Sequence, residues 1–327
     1  MFLKKGLHTT ISIVFISLIV LTGCFSHWQG NENLGSITFN FGGETHEWGP
    51  SASYYMANSS QAITMPQSII SRLTHTVTLE RIENNSVVER IPPFSISGAS
   101  HSEPATPGEW RINVISNLDR DELFAKSETT HITVVPGRST SANISIILEY
   151  ILINNRDDLI RLASGIDPNF PLCGKYILTS EINLNGIEWL PIGYSTYSEY
   201  TGIDEDGNPY DGIIIGNSNS FAGIFDGNHQ IISNLTITRD TYGSEKLYAL
   251  GFFGIVETNA VVRNVRLVGV NINVPISWPV GGLIGQNQGI VLNSNVTGVV
   301  SGPQNVGGLV GFNVGIIQNS FVAGRLL

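Results

Sequence analysis

Residues 281 to 298 read Gly-Gly-Leu-Ile-Gly-Gln-Asn-Gln-Gly-Ile-Val-Leu-Asn-Ser-Asn-Val-Thr-Gly, and residues 307 to 324 read Gly-Gly-Leu-Val-Gly-Phe-Asn-Val-Gly-Ile-Ile-Gln-Asn-Ser-Phe-Val-Ala-Gly. Gly282, Leu283, Gly285, Asn287, Gly289, Ile290, Asn293, Ser294 and Gly298 return 26 residues later as Gly308, Leu309, Gly311, Asn313, Gly315, Ile316, Asn319, Ser320 and Gly324. Weaker copies lie upstream at 250–270 and 221–237. The asparagines Asn234, Asn264, Asn293 and Asn319 follow one another at intervals of 30, 29 and 26 residues. A drifting period of this size is the signature of a solenoid. Each unit holds about three apolar, β-branched pieces bounded by Gly or Asn, and pieces of roughly four residues are too short for helices. Three short strands joined by sharp bends per unit predict a right-handed parallel β-helix. Gly and Asn serve the bends because both accept positive φ. Those four asparagines, at one place in successive units, are expected to stack as an amide ladder at a spacing of about 4.8 Å.

The Gly-Gly-Leu-Val-Gly-x-Asn-x-Gly-x-Ile-x-Asn-Ser pattern resembles the GLUG motif of bacterial surface adhesins, filamentous-haemagglutinin-like proteins and non-catalytic regions of large surface peptidases. The resemblance extends over about 150–327, with Gly174–Leu184, Trp189–Gly193 and Phe221–Asn228 looking like the first turns of such an array. It implies a lipid-anchored or surface-displayed β-helix used for adhesion or macromolecular binding. Residues 155–163 read as a short helix capping one end of the solenoid, which open repeat arrays need. The chain stops just after a repeat, at Gly324-Arg325-Leu326-Leu327. An open end exposes strand edges and core, so either the tail blunts the last unit, or a partner covers it by end-to-end self-association or docking as an assembly component, or the chain is a truncated copy of a longer protein.

The amino terminus reads as an address. Lys4 and Lys5 precede an apolar run, Ile11 to Leu21, broken only by Ser12 and Ser17. That run is too short to span a bilayer and has the size of a signal-peptide core. Leu21-Thr22-Gly23-Cys24 resembles a bacterial lipobox. This implies cleavage of residues 1–23, diacylglycerol on the Cys24 thiol, an acyl group on its new amine, and a tether over 24–34. Two or more chains anchor stably where one does not. The implied location is the bacterial cell envelope, at the outer membrane or cell surface. Cys173, the only other cysteine, is expected to be a small buried apolar residue.

Between tether and repeats, period-2 runs separated by Gly and Pro predict a β-sandwich over 35–150. Ile37 and Phe39 share one face, as do Val77 and Leu79, then Trp110, Ile112 and Val114, then Ile144, Ile146 and Leu148. The stretches around Pro107-Gly108-Glu109-Trp110 and Val135-Pro136-Gly137-Arg138 resemble small Ig-like or prealbumin-like modules, which implies a spacer. The whole chain is then all-β. Its composition agrees: 35 Gly and only 13% charged residues, against about 25% in ordinary domains.

The chemistry is sparse. Net charge is −10, and −12 once residues 1–23 are removed, which excludes nucleic acid as a partner. Residues 281–324 hold no charged side chain, so no catalytic residue and no enzyme activity are assigned. A polysaccharide lyase or hydrolase would need converging carboxylates. Asp226, within Phe225-Asp226-Gly227-Asn228, reads as a turn residue. Asp204, Asp206, Asn208 and Asp211 carry oxygens at alternate positions. The Gly is misplaced for a calcium loop and no bidentate Glu closes it, so a hairpin tip is expected, with calcium the lesser alternative and no metal assigned. An insertion over about 194–219 carries Tyr194, Tyr197, Tyr200 and Tyr210. Insertions in solenoids project from one face and carry binding, so these tyrosines are the candidate contact site for a protein or glycan ligand.

Overall fold

The computed structural model describes residues 34–40, 53–56, 62–63, 65–96, 100–142 and 144–326. The expected signal peptide 1–23, Cys24 and the tether up to 33 lie outside them. Among the described residues the protein is all-β, with two short helices, Gln67–Ile70 and Arg156–Ser164. No helix among them is long and apolar enough to cross a membrane. The chain divides into two compact units, and the division is not sequential. Thr64–Arg72 groups with the second unit, Leu148–Leu327, although Leu73–Ile147 builds the first.

The first unit holds two sheets. Gly35–Asn40 pairs with Ser139–Ser141 on one side and Ser100–Ala105 on the other. The larger sheet has eight strands and is centred on Leu73–Glu83 and Gly108–Leu118, antiparallel with Val77 opposite Val114. Alternate residues point inward as their spacing predicts: Val77, Leu79, Trp110, Ile112 and Val114 are buried. Phe39 meets Phe94 edge-on at 6.2 Å, linking the two sheets. The outer face of the large sheet is laced by Glu80, which accepts from Arg90 and Arg111. His75 is an inward position that the pattern search passed over. It is 2% exposed, hydrogen-bonded at 2.8 Å to Ser116, and burial lowers its pKa to about 4.

The second unit is dominated by parallel sheets whose strands recur in rotation along the chain. The first sheet stacks Ile151–Ile153, Lys175–Leu178, Ile224–Asp226, Val261–Arg263, Ile290–Leu292 and Ile316–Gln318. The second stacks Ile182–Asn183, Ile231–Ser233, Arg266–Asn273, Asn295–Ser301 and Phe321–Leu326. A third stacks Phe253–Val256, Ile284–Asn287 and Val310–Asn313. Registers follow the sequence recurrence: Ile284 opposes Val310, Ile290 opposes Ile316 and Val296 opposes Val322. Inward columns such as Tyr176, Phe225, Val262 and Val291 join Phe221, Phe252 and Phe253 in one core.

Three expectations change here. Asn264, Asn293 and Asn319 occupy corresponding bends with φ of 55°, 50° and 50°. The Asn293 amide donates to Asn264 Oδ1 at 3.4 Å. Asn234 is not their partner. Ser233 opposes Val268, which sets Asn234 against Gly269, and its amide donates to Asn183 Oδ1 at 3.0 Å. The 30-residue interval misleads because the strands Thr241–Tyr242 and Glu245–Tyr248 leave the parallel sheets between the two asparagines. A tighter amide pair lies elsewhere, from Asn287 Nδ2 to Asn313 Oδ1 at 2.7 Å. Cys173 is exposed rather than buried, since it sits in the turn where Gly174 N–H donates to Pro171 O.

Asp226 is the third. It does stand at the expected turn, where Gln230 N–H donates to Gly227 O, but it is fully buried in a network. Its Oδ2 accepts from Arg72 Nη2 at 2.7 Å and Arg263 Nε at 2.9 Å. Its Oδ1 accepts from the Asn228 N–H at 2.8 Å and Asn264 Nδ2 at 3.0 Å. Arg72 also donates to Asn228 Oδ1 at 2.7 Å. Burial opposes ionisation of this carboxyl, but the Arg72 and Arg263 guanidiniums beside it hold its pKa below the usual value.

The helix Arg156–Ser164 falls where a short helix is expected, at 155–163. Asn155 accepts from the N–H groups of Asp157 and Asp158, and Gly165 ends the helix at φ 68°. Leu159, Leu162 and Ala163 enter the core, while Ile160 faces solvent.

Candidate functional site

The insertion forms a hairpin. Ser195–Ile203 pairs antiparallel with Pro209–Ser218, and the Asp204–Asn208 tip closes it. Glu245–Tyr248 adds to the first strand and Thr241–Tyr242 to the next, giving a four-stranded antiparallel sheet beside the parallel ones. A short strand pair with polar edges needs a packed face to persist. Tyr197 supplies it: only 4% exposed, it meets Tyr248 at 6.4 Å, and Tyr248 meets Trp278 edge-on at 5.6 Å. Tyr248 donates to Gln286 Oε1 at 2.9 Å, tying this sheet to the third parallel sheet. Burial pushes the hydroxyl pKa of both Tyr197 and Tyr248 up.

The four insertion tyrosines therefore part company. Tyr197 is a core residue. Tyr194 packs on Tyr242 at 5.3 Å and is half-buried. Tyr200 is exposed and lies across the strand from Gly212. A Cβ at Gly212 would come within 2.7 Å of the Tyr200 ring, so the missing side chain is what lets the ring lie there. The side chain of Tyr210 lies outside the described residues.

A cleft of about 660 Å³ opens beside this sheet, lined by Glu199, Tyr200, Thr201, Asp211, Gly212, Ile213 and Trp278. Strand alternation puts Glu199, Thr201, Asp211 and Ile213 on one face. Glu199 accepts from Lys246 Nζ at 2.7 Å, and Thr201 donates to Asp211 Oδ1 at 3.0 Å. The cleft thus offers an indole, an aliphatic wall, two carboxylates and a hydroxyl, a combination suited to a polyhydroxylated ring. Trp278 lies far from the insertion in sequence. Its signal, a lone Trp in an Ile276-Ser277-Trp278-Pro279 loop, was not read as part of the site.

Of the oxygen-bearing residues of the hairpin, Asp204 and Asn208 meet at its tip, where Asn208 Nδ2 donates to Asp204 Oδ2 at 3.4 Å. Asp204 Oδ1 accepts from the N–H groups of Asp206 at 3.0 Å and Asn208 at 2.7 Å, and these backbone bonds lower its pKa. Asp211 sits on the strand with Thr201. Among the described residues no group of three His, Cys, Asp or Glu side chains is placed to hold a metal ion. A second, smaller hollow, about 220 Å³, lies between the helix Arg156–Ser164 and Trp189, with Ile160, Ile166, Tyr194 and Tyr242 on its walls. No protein-family model matches the chain, and no curated protein or solved structure is significantly similar to it.

Proposed function

We propose that this chain is a lipid-anchored protein of the bacterial cell envelope, held by acylated Cys24, that carries a β-sandwich spacer and, after it in the sequence, a right-handed parallel β-helix of GLUG-like repeats. Its role is adhesion or binding of a macromolecule rather than catalysis. The recurrence of strands in rotation through several parallel sheets, with a spacing that shortens to 26 residues in the last units, supports the β-helix reading. The cleft carries the functional reading: Trp278 stands beside Glu199, Thr201 and Asp211, and both carboxylates already have partners. An aromatic face with hydrogen-bonding groups around it fits a glycan.

The test is binding of the full chain in detergent to an array of bacterial and host glycans, repeated with Trp278→Ala. Saturable binding to a glycan class, weakened at least tenfold by Trp278→Ala, is the expected outcome. Specific cleavage of a polysaccharide, abolished by substitution of one Asp, would replace this reading with the enzyme alternative. Metabolic labelling with a radioactive fatty acid tests the anchor, and label that survives Cys24→Ala refutes it.

A further inference from the structure

The hollow beside the helix Arg156–Ser164 gathers aromatic and aliphatic groups around one carboxylate. Trp189, Tyr194 and Tyr242 contribute three rings, Ile160 and Ile166 contribute aliphatic walls, and Glu188 is the only charged side chain that lines it. The rings are fixed by their own packing. Trp189 stacks on Phe252 with centroids 5.2 Å apart and donates from Nε1 to Phe252 O at 3.0 Å. Tyr194 meets Tyr242 at 5.3 Å with the planes inclined at 47°, so the two rings form a corner. At about 220 Å³ the space is smaller than the roughly 300–1,000 Å³ of sites for drug-sized molecules, so its occupant is a small group.

Glu188 narrows the chemistry. Its Oε1 accepts from the N–H groups of Thr238 and Arg239, and its Oε2 accepts from the Thr238 hydroxyl at 2.9 Å. Three of the carboxylate's roughly four lone-pair sites are therefore filled, all by neutral donors. Among the described residues Glu188 forms no ion pair. Arg161, next to Ile160 on the helix, is taken up by Asp167 at 2.7 Å and by the Phe170 ring at 4.3 Å. An anion in the hollow would meet the Glu188 charge directly, and a neutral apolar group would cover it without compensation. A primary ammonium would give up water for hydrogen bonds that one remaining lone-pair site cannot replace. A quaternary ammonium asks for none. Its charge lies beneath methyl groups, which pack on the rings and are drawn to their negative faces.

We propose that this hollow binds a small quaternary ammonium group of the choline type, with Glu188 as its counter-charge and Trp189, Tyr194 and Tyr242 as its aromatic walls. Tyr242 is 53% exposed and Ile166 84% exposed although both line the hollow. Binding removes part of that apolar surface from water, which adds to the attraction of charge. The hollow shares no residue with the cleft at Trp278, so it takes its cation whether or not that cleft takes a glycan.

The experiment is equilibrium dialysis of the full chain against radiolabelled choline, in dodecyl maltoside so that no detergent carries the group. Competitors are 3,3-dimethyl-1-butanol, which is the uncharged carbon isostere of choline, together with ethanolamine and phosphocholine. Expected is saturable binding at one site, with the isostere and ethanolamine each competing roughly tenfold or more weakly than choline itself. Phosphocholine that competes as well as choline assigns the site to an esterified headgroup, and weaker competition assigns it to the free cation. Glu188→Gln keeps the side chain's size and its means of bonding to Thr238 and Arg239, and should weaken choline binding roughly fivefold or more. Tyr242→Leu keeps apolar bulk at an exposed position, removes one ring, and should weaken binding roughly threefold or more. Far-UV circular dichroism and Tm establish that each variant is folded; if Glu188→Gln unfolds the unit, Tyr242→Leu carries the test alone. No saturation by about 10 mM choline, an isostere that competes equally, or a folded variant of either kind that binds as the parent does overturns the proposal.

Discussion

Asp226→Asn is the most informative single perturbation of the second unit. The substitution keeps shape and volume and leaves Oδ1 able to accept from the Asn228 N–H and Asn264 Nδ2. What it removes is the charge and the acceptor at Oδ2, where Arg72 and Arg263 both donate. Each charge-assisted bond contributes about 1.5–3 kcal/mol. The new amide also turns N–H groups toward two guanidiniums that are each only 16% exposed. Breaking such a pair by removing one partner costs about 3–5 kcal/mol, and that is the expected loss near neutral pH. The sign with pH follows from the depressed pKa of Asp226. The stabilisation is fully present above the ordinary carboxylate pKa of about 3.9 and is lost as pH falls through the lower folded value. Parent and variant should therefore converge in strong acid. Native-state amide exchange at Phe225 and Val262, whose strands flank the network, reads the loss locally. A variant within about 0.5 kcal/mol of the parent near pH 7 would refute the reasoning, for it would mean the two arginines need no counter-charge.

Two further outcomes follow from the same kind of argument. His75 is buried neutral with a pKa lowered from 6.5 to about 4, so the unfolded chain binds its proton first as acid is added. The first unit should keep full stability above about pH 6.5 and lose roughly 3 kcal/mol as pH falls to 4; His75→Gln, which still offers Ser116 a partner, should flatten that limb in urea titrations. Gly298 lies at φ +145° with an added Cβ 2.1 Å from Val270 O. Gly298→Ala should destabilise the second unit by at least about 3 kcal/mol, visible as a lowered Tm, while Ala at the open, equally left-handed Gly186 should cost only about 1 kcal/mol.

Most of the parallel stacking was legible in the repeat, because one side chain per strand must point inward at the same place in each unit. The pairs Ile284–Val310 and Val296–Val322 are read directly from a 26-residue offset. Asn234 was misassigned for the same reason that the method works elsewhere: spacing counts residues, and residues that leave the parallel sheets still count. Asp226 was illegible as a buried group. Its partner Arg72 lies immediately before Leu73–Glu83, a central strand of the first unit's larger sheet, and nothing in Ser71-Arg72-Leu73 marks that arginine as belonging to the second. The aromatic density of the insertion lies beside the cleft, but its tyrosines mostly hold the small sheet together. Tyr197 satisfies the packing demand of a small sheet, and the indole that faces the cleft comes from a loop 60 residues beyond the hairpin.

The last 70 residues contain neither Asp, Glu, His, Cys, Lys nor Tyr, and their only ionisable side chains are Arg263, Arg266 and Arg325. Arginine keeps its charge in folded proteins at any pH below about 12. No side chain of this stretch therefore exchanges a proton when it unfolds, and its own side chains make it blind to acidity. Acid reaches the first unit through His75 and the second through Asp226, whose carboxylate holds Arg263 and Asn264 at the start of this stretch. Beyond those contacts, a stack of amides, aliphatics and glycines keeps the same side-chain protonation in acid as at neutral pH.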